Sequence, residues 1–141
     1  LAQTEDLTRH QHPTIKALVA LLNSDEFRGW MQRLTRIKTA PGKLDLFGSV
    51  YRDSDHLLPH DDQIEDRKIA FILNLTTLNT EEGGALALYD NEDGAPTTVT
   101  TRIQPRANTL SIFTVSDKSW HEVEEVLTDT FRVSIGGWLH A

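Results

Sequence analysis

Lys68-Ile69-Ala70-Phe71-Ile72-Leu73-Asn74-Leu75 is almost wholly apolar after its first residue. The run is far short of the roughly 20 apolar residues that cross a bilayer as a helix. It does not alternate either, and a strand reads without alternation when both of its faces are covered. Lys68 to Thr76 is therefore expected to be the central strand of a sheet. On either side the chain keeps a strand-like pattern. Lys43 to Tyr51 and His56 to His60 precede the run; Gly84 to Tyr89, Thr97 to Gln104, Thr109 to Val115, Trp120 to Leu127 and Phe131 to Leu139 follow it. Turn formers separate them at Glu81-Glu82-Gly83-Gly84, Asn91-Glu92-Asp93-Gly94, Pro105-Arg106-Ala107-Asn108 and Ser116-Asp117-Lys118. Short strands at this spacing predict a β sandwich or barrel.

Upstream of Pro41-Gly42 the period is helical. Pro13 suits a first helical position, and Ile15, Leu18, Val19 and Leu22 recur at helical spacing up to Asn23. Ser24 is a candidate cap for a second helix from Asp25 to about Leu34, with Phe27, Trp30, Met31 and Leu34 on one face. His10 and His12 stand in a polar segment before the first helix and are expected to be solvated. Residues 1–141 are thus expected to be one domain, with helical support over about 13–34 and the β body over about 43–139.

Composition narrows the chemistry. The chain has 141 residues, no cysteine and a net charge of −7. Without thiols, a metal can be held only by His, Asp or Glu. The acidic balance argues against nucleic acid as a direct partner and suits a basic protein. No apolar run is long enough for a membrane span, and Leu1 to Asp6 lack the pattern of a signal peptide. A monomer without membrane contact is expected. There is no Gly-x-Gly-x-x-Gly or Walker loop, and Gly83-Gly84 reads as a turn. Ser111, Ser116 and Ser119 have no nucleophile-elbow context. Asn74-Leu75-Thr76 matches a glycosylation acceptor, but it falls in the strand expected to be buried.

The chemistry-bearing residues lie around Leu57-Leu58-Pro59-His60-Asp61-Asp62. His60 and Asp62 have the same strand parity, so an extended backbone would send both side chains to one side and Asp61 to the other. His121 starts another candidate strand, and strand ends on one rim of a barrel can converge. Two histidines and a carboxylate make the facial triad of non-haem Fe(II) oxygenases. The plainer alternatives are a polar surface turn for His60 and a structural strand histidine for His121. Arg132 and Ser134 also share a face. An arginine facing into a barrel needs a counter-ion, which a bound dicarboxylic acid could supply with Ser134 donating a second bond. Otherwise Arg132 faces solvent or pairs with Glu124.

Together these segments resemble the Fe(II)- and 2-oxoglutarate-dependent dioxygenases. The resemblance is strongest to the catalytic domain of the eukaryotic ribosomal prolyl hydroxylases, the small-subunit prolyl 3-hydroxylase family. It rests on His60-Asp61-Asp62, Arg67 to Leu73, Glu82 to Tyr89, His121 to Leu127 and Arg132 to His140, and runs from about Tyr51 to the end. It implies a mostly β fold, a double-stranded β-helix (jelly-roll) of about eight strands with two supporting N-terminal helices. It implies Fe(II) on His60, Asp62 and His121, and 2-oxoglutarate held at its far carboxylate by Arg132, with O2 as second cosubstrate and ascorbate as a reductant. Tyr51 falls where the family has a pocket tyrosine near the cosubstrate, and Trp138 matches a tryptophan lining the prolyl pocket. Where the family has a tyrosine that bonds the distal carboxylate, this chain has Asn74, whose amide donates the same kind of bond from a shorter side chain. Fungal and animal members carry a further, non-catalytic domain; the sequence here ends at Ala141.

The implied activity couples oxidative decarboxylation of 2-oxoglutarate, to succinate and CO2, with hydroxylation of a proline in a small-subunit ribosomal protein, in the cytoplasm or nucleus. Asp53, Asp55, Asp61, Glu65 and Asp66 are expected to attract this basic substrate, with Asp61 facing it. An oxygenase of the same type acting on another protein or a small molecule is the alternative. A non-catalytic β-helix binding module would be expected to lack a ligand or the arginine.

Overall fold

The structure is a computed structural model that describes residues 1–141. A two-residue strand, β1 (Ala2–Gln3), precedes helix α1 (Pro13–Leu22). The His12 ring accepts a hydrogen bond from the Thr14 amide at 3.3 Å, so this exposed histidine caps the helix that Pro13 opens. Ser24 Oγ accepts from the Phe27 amide at 3.1 Å and starts α2 (Asp25–Thr35). Arg36, in the left-handed region at φ 64°, ends it.

Eight further strands follow: β2 (Leu44–Tyr51), β3 (Leu57–His60), β4 (Arg67–Asn74), β5 (Leu86–Glu92), β6 (Ala95–Ile103), β7 (Thr109–Thr114), β8 (His121–Val123) and β9 (Arg132–His140). They form a larger sheet in the order β1-β2-β9-β4-β7 and a smaller one in the order β3-β8-β5-β6. Every pairing is antiparallel. The chain winds back and forth between the two sheets, which is the expected double-stranded β-helix. No helix is long and apolar enough to cross a membrane.

The helices pack on the outer face of the larger sheet. Leu22 and Met31 meet Leu44, Leu46, Ile69, Phe71 and Leu139 in one apolar cluster. The inner face of the same sheet looks across at the smaller sheet. With both faces covered, β4 needs apolar residues at nearly every position. In β9 alternation is kept: Ile135 and Leu139 join the apolar cluster, while Arg132, Ser134 and Trp138 face the interior.

The differences from expectation have local causes. β1 carries no pattern in two residues and exists by pairing Ala2 with Val50 and Gln3 with Ser49. The β5–β6 turn is only Asp93-Gly94, both left-handed at φ 51° and 76°, so the strands run further toward it than expected. β8 is regular only to Val123 because the segment opposite turns left-handed at Gly83 and Gly84, φ 70° each; the bonds from Glu124 to Ala85 and from Leu127 to Glu82 still continue the pairing. Of the apolar face expected on α2, Met31 is buried but Trp30 and Leu34 stay 42% and 54% exposed.

Candidate active site

His60 ends β3 and His121 begins β8, and the two are register partners across that pairing. Their rings lie 4.2 Å apart between centroids. Each ring bonds through Nδ1 to the carbonyl two residues before it, Leu58 at 2.8 Å and Ser119 at 2.7 Å. A carbonyl can only accept, so each Nδ1 carries the proton and each Nε2 keeps a free lone pair for a metal.

Asp62 reaches these lone pairs by a route different from the one expected. It lies beyond the end of β3 in the left-handed region, at φ 65°, so a turn and not strand parity returns its carboxylate to the histidines. Oδ1 is 3.4 Å from His60 Nε2 and Oδ2 is 3.4 Å from His121 Nε2. The turn is pinned from outside: Ser119 Oγ donates to the Asp61 carbonyl at 2.6 Å. The Asp61 carboxylate accepts from the amide and side chain of Gln63. Asp61 therefore points away from the three ligands, but it is engaged in its own turn and does not line the cavity.

One donor atom from each of the three residues lies within 4.8 Å of the other two, close enough for a single ion to reach all three. The Asp62 carboxyl pKa is lowered despite burial, because the two imidazoles and the Trp138 N–H beside it favour the carboxylate. The site thus offers two neutral nitrogens and one anionic oxygen, the donor set of a facial triad.

Deeper between the sheets is Arg132, 2% exposed. Its Nε donates to the Gly84 carbonyl at 2.8 Å, and its guanidinium sits 5.1 Å from the centre of the Tyr51 ring. It forms no ion pair with any carboxylate. Glu124 pairs with Arg102 instead, at 2.7 Å, so both plainer alternatives for Arg132 are excluded. A buried cation without a counter-ion calls for an anion from outside. Ser134 and Tyr51 line the same cavity. Burial raises the Tyr51 pKa, which keeps its hydroxyl protonated and able to donate. Gly84 sits at φ 70°, and a Cβ there would meet Leu78 at 3.0 Å and Arg132 Cδ at 3.2 Å. The glycine pair read as a turn is also the seat of the arginine.

A cavity of about 110 Å³ joins the two ends, bounded by His60, Asp62 and His121 as well as Tyr51, Arg132 and Ser134. Trp138 lines it too, and its indole N–H donates to Asp62 Oδ2 at 3.0 Å. Asn74 is a correction. It is buried opposite Ser134 in the register, but its amide donates to Thr109 Oγ1 at 3.4 Å and it does not line the cavity. Sequence reasoning missed three contributors: Gly84; Phe113, edge-on to His121 at 4.6 Å; and Arg67, stacked on Trp138. Gly84 and Arg67 lay within segments already singled out, but nothing there gave either a role of its own.

Fold and site together define a facial-triad oxygenase with a buried, unpaired arginine in its cavity. Residues 46–140 match the 2OG-Fe(II) oxygenase superfamily, and the chain belongs to that family, which brings Fe(II), 2-oxoglutarate and O2. Over 98% of its length it is 40% identical to the prolyl 3-hydroxylase OGFOD1 of Xenopus laevis, and over 99% it is 36% identical to the prolyl 3,4-dihydroxylase OGFOD1 of Ostreococcus tauri. It spans only 27% and 29% of those two proteins. Its fold is also that of a Pseudomonas putida prolyl-4-hydroxylase: the TM-score is 0.71 at 18% identity, covering 99% of this chain and 67% of that one.

Proposed function

We propose that this chain is the catalytic domain of a peptidyl-proline hydroxylase acting on a proline of a basic small-subunit ribosomal protein. The observation that carries the reading is the pairing of a three-donor metal site with a buried, unpaired Arg132 in one cavity. Its relatives' names supply the prolyl substrate.

His60, Asp62 and His121 hold Fe(II). The metal would supply the oxidising power for C–H hydroxylation, drawn from O2 and the decarboxylation of 2-oxoglutarate to succinate and CO2. Arg132 and Ser134 hold the far carboxylate, and the Tyr51 hydroxyl is a further donor there. Phe47, Leu57, Leu86, Phe113 and Trp138 give the cavity an apolar lining that excludes bulk water and suits a prolyl ring. Ascorbate would serve as the reductant.

The net charge of −7 favours a basic substrate. Asp55 and Asp61 are engaged locally, with Arg52 and Gln63. Glu65, however, lies with Asp6 and Asp45 along a groove that continues from the cavity past Phe47 and Trp138. The place of action is the cytoplasm or nucleus, where such substrates are made and assembled.

Incubation with Fe(II), 2-oxoglutarate and candidate peptides should add the mass of one oxygen to a proline of the ribosomal-protein peptide, less efficiently as salt rises. Oxygen added only to an unrelated peptide or a small molecule would redirect the reading to that substrate. Absence of any 2-oxoglutarate turnover would overturn it.

A further inference from the structure

We propose that the Trp138 indole restricts Asp62 to ligation through a single oxygen, and that Arg67 holds the indole in place to do so. The proposal rests on the metal-centre reading above. It concerns residues that are not themselves ligands.

The Asp62 carboxylate straddles the two histidines. Each oxygen is 3.4 Å from one Nε2. These distances do not choose between one-oxygen and two-oxygen ligation. The indole does, because its N–H donates to Oδ2 at 3.0 Å. Indole nitrogen is a donor only, so the bond occupies a lone pair on Oδ2 and leaves Oδ1 as the stronger donor. One-oxygen ligation matters at a facial triad because each position taken by protein is lost to the molecules that must bind there.

The indole is itself clamped. The Phe47 ring packs against it with centroids 5.2 Å apart. The Arg67 guanidinium lies 3.5 Å from the ring centre, well inside the roughly 6 Å range of cation–π attraction. A cation over the ring draws electron density from it, which makes the N–H a stronger donor. Arg67 is anchored in turn: its Nε is 3.6 Å from Asp45 Oδ2, an oxygen that also bonds His140 Nε2 at 2.9 Å. Arg67 and His140 are register partners on β4 and β9. A continuous series of contacts therefore runs from His140 through Asp45, Arg67 and Trp138 to the carboxylate. Trp138 and Arg67 are positioning residues, acting through Asp62.

The test needs no turnover. The 141-residue chain is titrated anaerobically with Mn(II), followed by electron paramagnetic resonance, and with Co(II), whose visible absorption reports coordination number. His121→Ala identifies the signal that belongs to this site. Trp138→Phe keeps an aromatic wall and removes the N–H. It should weaken Mn(II) binding about 10- to 100-fold, as loss of a partner to a ligand does, and should shift the Co(II) spectrum toward higher coordination. Arg67→Met should move both readouts the same way by less, and Arg67→Lys, which keeps charge but not the planar stack, should fall between Arg67→Met and the parent.

Parent-like affinity and spectrum in Trp138→Phe would overturn the proposal, even if its melting temperature fell, because the ring would then be only a wall. If Trp138→Phe does not fold, Arg67→Met decides: a parent-like spectrum and affinity overturn the role of the clamp. A parent chain that binds neither ion would overturn the metal-centre reading along with this one.

Discussion

The larger sheet is covered on both faces, by the two helices outside and by the smaller sheet inside; the smaller sheet meets solvent on its outer face, where most of β6 is exposed. The two sheets also divide the site. Arg132, Ser134, Trp138 and Tyr51 stand on β9 and β2 of the larger sheet, within its packed interior. His60 and His121 stand at strand ends of the smaller sheet, and Asp62 in the turn beyond. The packing core and the buried arginine are therefore drawn from one sheet, and the three candidate metal ligands from the margin of the other. A margin can be rearranged without unfolding the body, so metal affinity and fold stability should separate experimentally.

The strongest attempt to break that separation is His121→Ala. It should abolish the visible band that forms when Fe(II) and 2-oxoglutarate are added without oxygen, while circular dichroism and cooperative unfolding persist. Loss of the fold along with the band would refute the division between sheets. Arg132→Met is next and probes the exception, a functional charge within the stable sheet. Calorimetry should show 2-oxoglutarate binding weakened by about 2–5 kcal/mol, and the ligand-free chain should unfold at the same or a higher temperature, because an unpaired buried charge has been replaced by an apolar side chain. A large drop in melting temperature would mean that Arg132 supports the fold.

Leu46→Ala should cost about 2–5 kcal/mol in denaturant unfolding, since Leu46 is 1% exposed beneath the helices. Mn(II) affinity of the folded fraction should not change. The smallest effect sharpens the comparison at its far side: Ser24→Ala removes the cap of α2 and should cost about 1 kcal/mol, with metal and 2-oxoglutarate binding unaltered.

The same division governs what was legible in the sequence. β4, covered on both faces, announced itself by an unbroken apolar run, and the helices by Pro13 and Ser24. The smaller sheet was readable in its existence but not in its limits, because its strand ends are set by turn geometry, as at Gly83-Gly84 and Asp93-Gly94, that leaves no periodicity. His60, His121 and Arg132 stood out because few residue types can do their work. Asp62 was placed by the wrong geometry, since a left-handed turn and an extended strand can deliver the same carboxylate to the same point. The resemblance put Trp138 in the prolyl pocket but gave no hint of its bond to Asp62, and Asn74 fell where the family bonds the distal carboxylate although its amide is taken up by Thr109. The clamp by Arg67 depends on how β2, β4 and β9 stack side by side, and no local window of sequence contains that information.

A dicarboxylate paired with the buried guanidinium of Arg132 would also couple folding to metabolism. A dicarboxylate that binds the native chain and not the unfolded one stabilises it by mass action, by about 2.7 kcal/mol at a hundredfold excess over its dissociation constant. That is about a hundredfold fewer unfolded molecules available to proteases. A cell rich in the keto acid would keep more of this protein, and one depleted of it would clear the chain faster, with no regulator other than the cosubstrate.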